Sequence, residues 1–496
     1  MQLSREICRS ARLSRDSRFD GKFFTAVRTT GVFCRPICPA RSPKEENVKY
    51  YPTAAAALQA GFRPCLRCRP ESSAGAPAWA GTSTTVARAL RLIGEGALDD
   101  TGVEALAERL GMGARHLRRL FLQHLGATPL AVAQAQRLLS AKKLIDETAL
   151  PLTTIAIASR YGSIRRFNTA FRAAYGRSPR ELRRDSKPIC SAGACTLQLH
   201  FRPPYDYQAI IEFLSKRSIS GVEFIRDSIY RRTFVLDGQA GWLEVRPHSP
   251  HTLTLRVEGV APARLLQVVA RVRRMFDLDA DPLAINSSLQ PDSLLAGSVR
   301  ARPGLRVPGA WDGLELGVRT ILGQQVSVAG ASTLTARLAA KYGHPVPFQV
   351  EGLTCTFPTA DELAGVDLAI GIPAARANAI GDFARAVASG ALVFDGAQDA
   401  AAFAFKICAI RGVGPWTAQY IAMRALSEPD AFPAADLVLV RAAGVKTPAE
   451  LERRSESWRP WRAYAAMHLW QGVKYGSIGL LHVDGKPHRK IAVGGG

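Results

Sequence analysis

Four of the nine cysteines form two closely spaced pairs near the start of the chain. Cys34 and Cys38 are separated by three residues, and Cys65 and Cys68 by two. Two short pairs joined by a longer insert are typical of a four-thiolate zinc site, because soft thiolates fill a closed tetrahedron around Zn2+. The spacing alone favours a structural zinc ribbon over reactive chemistry. The odd number of cysteines argues against a secreted disulfide framework.

A second set of chemically informative residues lies toward the other end of the chain. Gly412 and Gly414 flank Val413 between two apolar helical stretches, which predicts a helix-hairpin-helix. Glycines permit a tight hairpin, and its amides and the following helix N-terminus can hold one DNA phosphate. Asp436 follows a proline-containing loop. It could supply a carboxylate to a reaction, cap a helix, or do both.

The remaining residues must form the elements that position these two sets. The chain has 496 residues, 47% of them hydrophobic, and a net charge of +23, which points to a polyanionic partner such as nucleic acid. Most of the basic excess lies in the first 187 residues. Two stretches read as linkers, ESSAGAPAWAGTST (71–84) and RRDSKPICSAGA (183–194). They divide the chain into three blocks.

No apolar run approaches the ~18 residues that a membrane span needs, and no secretory signal is visible. The sequence therefore predicts a cytoplasmic protein without a membrane partner.

The residues around the cysteines narrow the interpretation of the first block. FDGKFFTAVRTTGVFCRPICPAR and ENVKYYPTAAAALQAGFRPCLRCRP contain F-C-R-P-x-C and G-F-R-P-C-x-R-C signatures. Over residues 1–73 the chain closely resembles the N-terminal domain of the Ada family of adaptive-response proteins. The resemblance implies a small α+β domain in which Cys34 accepts a methyl group from a DNA methylphosphotriester. Cys38, Cys65 and Cys68 would complete a site for one Zn2+.

The implied transfer agrees with thiol chemistry, because a thiolate is the nucleophile and Zn2+ keeps sulfur ionised at neutral pH. Methylation of one sulfur removes one negative charge from the site. DNA phosphates are then repelled less, so that repair can also act as a switch. The resemblance implies phosphate contacts by Thr30, Arg41, Arg63 and Arg67, although solvated surface arginines would look the same.

Residues 82–186 are rich in Ala, Leu and Arg with helical periodicity. VEALAERLGMGARHLRRLFLQHLG and LTTIAIASRYGSIRRFNTAFRAAYGRSPRELR each predict a helix, a glycine-containing turn and a second helix. The side chains expected to be buried are Leu117, Leu120 and Phe121 in the first unit and Phe167, Phe171 and Tyr175 in the second.

The G-x-T/S-P turn after each unit completes a resemblance to the AraC-type DNA-binding domain, which contains two helix-turn-helix units. Its recognition helices would enter successive major grooves of promoter DNA. Arg115, Arg118, Arg165 and Arg166 would then contact DNA. RNA polymerase is a further candidate partner. A small helical bundle with solvated charges remains the alternative.

The third block begins with alternating apolar runs that predict strands around one or two helices (194–283), followed by mostly helical sequence (284–490). Its motifs include FRPPYD, ARPGLRVPG, ILGQQVSVAGASTLTARLAAKYG, RGVGPWTAQY and WRPWRAYAAMHLW. Here the chain closely resembles 3-methyladenine DNA glycosylase II (AlkA), of the helix-hairpin-helix superfamily. The resemblance implies a TBP-like α+β subdomain and an all-α glycosylase domain. The whole chain is therefore predicted to be multi-domain, mainly α with α+β parts.

The superfamily's catalytic aspartate corresponds to Asp436. A carboxylate there would stabilise the oxocarbenium character of the sugar while an alkylated base leaves. The base must be flipped into a pocket, and electron-rich rings attract a cationic base. The residues that match this pocket are Trp416, Tyr420, Trp470 and, less closely, Phe213.

Two positions depart from the family pattern. Gln325 stands where a leucine fills the gap left by the flipped base, and Leu437 replaces an aromatic residue beside Asp436. Trp416 occupies the position of the lysine nucleophile of bifunctional relatives, so a monofunctional glycosylase is expected. No cysteine follows Cys408, so no iron–sulfur cluster is expected, and neither is a nucleotide cofactor.

Together these features and resemblances imply a bacterial, nucleoid-associated alkylation-response protein that binds alkylated and promoter DNA. It would act as a DNA-3-methyladenine glycosylase II and as a single-turnover methyl acceptor. Two alternatives remain at this stage. The chain could be a transcriptional regulator whose glycosylase-like block only binds DNA, or a repair enzyme that the first two blocks merely tether to DNA.

Overall fold

The computed structural model describes residues 3–73, 84–99, 101–184, 194–395 and 398–475. Most of each expected linker, 71–84 and 183–194, lies outside these residues, as does the part of the 284–490 block beyond 475.

Residues 3–73 form a four-stranded sheet with two α-helices. The elements are α1 (Arg5–Leu13), β1 (Phe24–Val27), β2 (Val32–Cys34), β3 (Val48–Tyr51), α2 (Ala54–Gln59) and β4 (Arg63–Pro64). The strand order is β3-β1-β2-β4, and β4 pairs parallel to β2 while the other pairs are antiparallel. Because β2 ends at Cys34 and Cys65 follows β4, the parallel pairing brings both cysteine pairs to the same edge of the sheet.

The described residues between 84 and 184 form seven helices. They are α3 (Thr84–Glu95), α4 (Val103–Arg109), α5 (Ala114–Leu125), α6 (Pro129–Glu147), α7 (Leu152–Ala158), α8 (Ile164–Tyr175) and α9 (Pro179–Arg184). Helices α5 and α8 have Gly126 and Gly176 as C-caps, both in the left-handed region with φ of 67°. Of the six side chains expected to be buried, five are, and Leu120 is half-buried. The two predicted helix-turn-helix units are present.

Residues 194–275 form an antiparallel five-stranded sheet with two helices. The elements are β5 (Cys195–His200), α10 (Tyr207–Ser215), β6 (Glu223–Arg226), β7 (Ile229–Leu236), β8 (Gln239–Ser249), β9 (Thr252–Glu258) and α11 (Leu265–Met275). The strand order is β5-β9-β8-β7-β6. Buried side chains of both helices, such as Ile210 and Val268, share one core with Leu255 and Val257 of β9.

The remaining described residues are mostly helical and continue the same core. They comprise α12 (Pro282–Leu289), α13 (Ala296–Ala301), α14 (Gly313–Leu322), α15 (Val328–Tyr342), β10 (Pro345–Val350), β11 (Leu353–Cys355), α16 (Ala360–Ala364), α17 (Ala374–Ala388), α18 (Ala400–Cys408), α19 (Pro415–Ala425), α20 (Leu437–Ala442), α21 (Pro448–Ser455) and α22 (Arg462–Tyr475). The predicted fold class, mainly α with α+β parts, is confirmed. No helix among the described residues has the length and apolar character needed to cross a membrane.

Buried polar contacts join the first block to the third. The backbone oxygen of Asp20 accepts a hydrogen bond from Nε of Arg202 over 2.9 Å. Two residues later, Nζ of Lys22 lies 2.6 Å from a carboxylate oxygen of Asp281, and both side chains are almost fully buried. Burying charge is costly unless it is paired, so these contacts specify how the two blocks fit together.

Candidate functional site

The four cysteines predicted to bind metal come together at the edge of the first sheet. Their sulfur atoms all lie within 4.8 Å of one another. A tetrahedral Zn2+ with Zn–S bonds of about 2.3 Å places its ligands roughly 3.8 Å apart, so the cluster fits one four-coordinate ion with little adjustment. Cys68 is buried, and Cys34, Cys38 and Cys65 are half-buried. The predicted methyl acceptor Cys34 is therefore reachable from solvent.

The close approach of four cysteine sulfurs favours a bound cation. Hydrogen bonding with Cys38 and Cys65, together with burial, raises the pKa of the Cys34 thiol above its ordinary value. The pKa of Cys38 falls to about 7 because its sulfur is hydrogen-bonded with that of Cys34. Protons are thus shared unequally among close sulfurs, and four simultaneous thiolates require a balancing positive charge. A divalent ion ligated by the sulfurs supplies that charge.

Arg35 ties the cysteine cluster to the protein interior. Its backbone N–H donates to Sγ of Cys68 over 3.3 Å, and its Nη1 donates to the Cys68 carbonyl over 3.1 Å. Its Nε donates to Oδ1 of Asp20 over 2.8 Å. All three residues are buried. The carboxylate therefore fixes the side chain that directly follows Cys34.

The residues predicted to contact DNA in the first two blocks are exposed. In the first block Arg63 donates to the backbone oxygen of Thr30 over 3.4 Å, so these two lie together on the surface. On α5, Arg118 forms a salt bridge of 2.6 Å with Glu104. The other predicted contacts that are exposed to solvent are Arg41, Arg67, Arg115, Arg165 and Arg166.

The predicted hairpin joins α18 to α19. Gly412 has a φ of +88°, which only glycine adopts without strain, and Gly414 is the N-cap of α19. Val413 between them is buried and anchors the turn. A Cβ at Gly414 would meet no atom within 4 Å, so the space in front of the α19 amides is open. A phosphate could approach these amides closely.

Asp436 caps α20 and also receives two indole N–H groups. Its Oδ1 accepts hydrogen bonds from the amides of Val438 and Leu439, each over 3.0 Å. Nε1 of Trp470 donates to the same oxygen over 3.2 Å, and Nε1 of Trp416 donates to Oδ2 over 3.1 Å. A carboxylate offers two acceptor oxygens, so these four N–H donors fix the direction of the Asp436 side chain.

The predicted pocket residues line one cavity of about 860 Å3 together with Asp436. Trp416 and Tyr420 stack with ring centroids 5.2 Å apart and planes inclined by 8°. Trp470 meets Tyr420 edge-on at 6.4 Å. Phe213, from α10, closes the wall. The structure thus brings all four predicted aromatic residues to the carboxylate, across two separate parts of the third block.

Three family models match successive parts of the chain. They are the metal-binding domain of Ada over residues 7–71, a helix-turn-helix domain over 106–185 and the AlkA N-terminal domain over 196–312. Over 482 residues the chain is 43% identical to the probable bifunctional transcriptional activator/DNA repair enzyme AlkA of Mycobacterium tuberculosis, and the match covers 95% of this chain and 97% of that protein. The chain belongs to this AlkA family. The resemblances of its three blocks are confirmed.

Two further relatives cover the third block of this AlkA-family chain. The DNA-3-methyladenine glycosylase 2 of Escherichia coli is 36% identical over 278 residues, which is 55% of this chain and 95% of that enzyme. The solved structure of a 3-methyladenine DNA-glycosylase from Archaeoglobus fulgidus aligns with a TM-score of 0.50 at 18% identity, over 57% of this chain and 99% of that one. The second likeness concerns the fold alone.

The two departures from the family pattern are each next in sequence to a residue that lines the cavity, Val326 or Asp436. Gln325 is exposed in the turn between α14 and α15, with a φ of +59°. Leu437, directly after Asp436, is 67% exposed. Both side chains are exposed, and neither belongs to the residues that line the cavity.

Sequence reasoning missed three residues of this AlkA site. Nε2 of Gln324 donates to the Gly412 backbone oxygen over 2.9 Å and so fastens the Gln325 turn to the hairpin. Arg217 and Arg424 line the cavity. A signal was present in the sequence for Arg424, because it follows the pocket residue Tyr420 by four residues on α19 and such pairs share one helix face.

Proposed function

We propose that this chain excises alkylated bases, transfers methyl groups from DNA methylphosphotriesters to Cys34, and regulates transcription from promoter DNA. The observation that carries the first activity is the placement of Asp436. Four N–H donors hold its carboxylate against an aromatic cavity beside a helix-hairpin-helix. The partners are double-stranded DNA, alkylated or carrying an operator, and RNA polymerase for the regulatory role.

The positive charge of an alkylated base explains why its N-glycosidic bond can be cleaved. An alkylated purine such as 3-methyladenine is cationic in DNA, and the electron pair of the N-glycosidic bond leaves with it. The sugar then carries oxocarbenium character, which the Asp436 carboxylate stabilises. Water adds to the sugar carbon and its proton passes to the carboxylate, leaving an abasic site. Trp416 has no nucleophilic amine, so the reaction is hydrolytic and monofunctional, of the DNA-3-methyladenine glycosylase II type.

The decisive experiment is release of 3-methyladenine from methylated DNA by the full chain and by Asp436→Asn. Asparagine retains the helix cap but lacks the negative charge, so we expect a rate loss of about a hundredfold or more. Asp382→Asn, at an exposed position of α17, is the matched control and should retain activity. Equal release by Asp436→Asn and the wild type would favour a regulator whose third block only binds DNA.

Methyl transfer uses Cys34 as the nucleophile. Its sulfur attacks the methyl carbon of the phosphotriester, the carbon–oxygen bond breaks, and the phosphate leaves as a diester anion with the bonding electrons. A bound Zn2+ would keep the sulfurs ionised at neutral pH. The product is a thioether on Cys34, which does not revert, so each chain acts once. Exposed Arg41, Arg63 and Arg67 would hold the neighbouring phosphates.

Mass spectrometry of the chain after incubation with methylphosphotriester DNA tests this step. One methyl group is expected on Cys34 and none in Cys34→Ser. Promoter affinity measured before and after modification tests the regulatory role, and the methylated chain should bind more tightly. Methylation without any change in affinity would mean that the first two blocks only tether a repair enzyme.

A further inference from the structure

Gln471 is a buried polar residue of the pocket beside Asp436 that the proposed chemistry leaves unused. It follows Trp470 on α22 and is only 7% exposed. Met467, four residues earlier on the same helix, also lines the cavity. Residues four apart share one helix face, so the Gln471 amide lies on the face of α22 that a flipped base would meet.

The amide oxygen of Gln471, Oε1, has no hydrogen-bond partner within the described part of the chain. Among the described residues that line the cavity, it is the one buried side-chain oxygen or nitrogen without such a partner. Burying an acceptor without a donor is costly, and most buried polar atoms in folded proteins are paired. A ligand that donates an N–H group to Oε1 would remove that cost.

The carboxylates and the phenol of the cavity already accept hydrogen bonds from the protein. Asp436 accepts four N–H groups. Glu212 accepts from Nε2 of Gln208 over 3.4 Å, and the Tyr420 hydroxyl accepts from Nη1 of Arg424 over 3.0 Å. The unpaired amide oxygen can therefore accept from a base without sharing or displacing an existing donor.

A cationic base would also determine which end of the amide faces it. A glutamine amide carries donors on Nε2 and an acceptor, Oε1, and it can turn about its last bond. Dipoles of side-chain amides follow the local field, so positive charge on the base draws Oε1 toward it. The arrangement thus suits a base that brings both a positive charge and an N–H donor.

We infer that Gln471 selects the flipped base by accepting a hydrogen bond from the amino group at carbon 6 of an alkylated adenine. The positive charge of such a base spreads onto this amino group, so the hydrogen bond is charge-assisted and strong. An alkylated guanine has a carbonyl oxygen at carbon 6, and the amide would have to turn Nε2 toward a cation to bind it. This inference rests on the proposed glycosylase function and adds a specificity determinant to it. Asp436 acts on the sugar, and Gln471 acts on the base.

Release of two bases from one DNA sample tests the inference. DNA treated with a methylating agent contains 3-methyladenine and 7-methylguanine, which are both cationic and differ at carbon 6. Single-turnover rates of release are measured for both bases with the wild-type full chain, Gln471→Met, Gln471→Glu and the control Gln290→Met, at the exposed C-cap of α12. The readout is the ratio of the two rates. A general loss of activity and the different lability of the two bases cancel when this ratio is compared between proteins.

Methionine is similar in length to glutamine and lacks the amide oxygen, so Gln471→Met should lower the ratio of 3-methyladenine to 7-methylguanine release roughly tenfold. Glutamate keeps acceptor oxygens, so Gln471→Glu should keep a ratio at least as high as that of the wild type, and Gln290→Met should match the wild type. If Gln471→Met does not fold, the smaller Gln471→Leu takes its place.

An unchanged ratio in Gln471→Met, or a ratio that falls in Gln471→Glu as well, would overturn the inference while leaving the glycosylase function intact. Failure of the wild type to release either base would overturn the proposed function, and the inference with it.

Discussion

The carboxylate of Asp20 pairs with the guanidinium of Arg35, and both side chains are buried. Arg35 directly follows Cys34 and is bonded to Cys68, while the backbone oxygen of Asp20 accepts a hydrogen bond from Arg202 of the third block. Asp20 thus contacts Arg35, which supports the cysteine cluster, and Arg202, which belongs to the glycosylase-like third block.

Asp20→Asn should loosen the cysteine cluster. The substitution leaves Arg35 with a neutral partner in a buried place, and loss of one member of such a pair costs about 3–5 kcal/mol. Release of bound zinc to a chromogenic chelator should become roughly tenfold faster. Asp16→Asn is the matched control, because Asp16 pairs with the exposed Arg18 nearby in the chain. Equal release from both variants would show that Arg35 does not hold the cluster.

Trp470→Phe should slow base release. The variant keeps an aromatic wall but removes the N–H that donates to Oδ1 of Asp436. A hydrogen bond to a charged group contributes about 1.5–3 kcal/mol, so a carboxylate held less firmly should lose roughly tenfold or more in the rate of 3-methyladenine release. Single-turnover release from methylated DNA measures this rate. A rate equal to that of the wild type would mean that the ring matters and its N–H does not.

Lys22→Ala should weaken the contact between the first and third blocks. It strands the buried carboxylate of Asp281, which lies 2.6 Å from the ammonium group. Chemical denaturation should show that the free energy of unfolding falls by about 3 kcal/mol. The exposed pair Arg109–Asp395 is the comparison, since breaking it should cost less than about 1 kcal/mol. A similar loss in the free energy of unfolding at both pairs would mean that the Lys22–Asp281 contact does not specifically hold the first block against the third.

Stability should depend on pH through Asp277. Burial raises the pKa of its carboxyl to about 7, against about 3.9 in an unfolded chain. The folded chain therefore keeps a proton that the unfolded chain releases, and stability falls as pH rises from about 4 to about 7.

Asp277→Asn should flatten this dependence, because one oxygen of Asp277 accepts from both Tyr464 and Val307 and an amide oxygen can do the same. Between pH 4 and pH 7.5 the free energy of unfolding of the wild type should fall by roughly 2–4 kcal/mol more than that of the variant. His468, whose pKa burial lowers to about 4, contributes the opposite slope. The difference between wild type and variant is therefore the quantity to measure, and a difference that does not vary with pH would contradict the prediction.

Local patterns predicted the elements well. Cysteine spacing, the two helix-turn-helix patterns and the glycine hairpin each depend on neighbours in sequence, and the structure shows each of them. Asp436 was predicted both as a helix cap and as a reactive carboxylate; the cap uses Oδ1, and Oδ2 accepts from the pocket residue Trp416.

Relations between distant segments were not predictable in this way. Phe213 reaches the pocket from the α+β part, and only packing of that part against the helices puts Arg217 beside Tyr420. The contact between Asp20 and Arg202 spans blocks that the sequence divided with linkers. Leu120 was expected to be buried and is half-buried, because helical periodicity marks a face but not how far a neighbouring helix covers it.

Cys34 and Asp436 belong to one polypeptide, and buried contacts join the blocks that hold them. In the proposed chemistry the sulfur is altered once and for good, whereas the carboxylate is regenerated in every cycle. Each molecule would therefore record a single encounter with damage and then go on removing bases. The fraction of molecules with an unmethylated Cys34 would report how recently the cell was exposed to an alkylating agent. The total number of molecules, methylated or not, would set the rate at which damaged bases are removed.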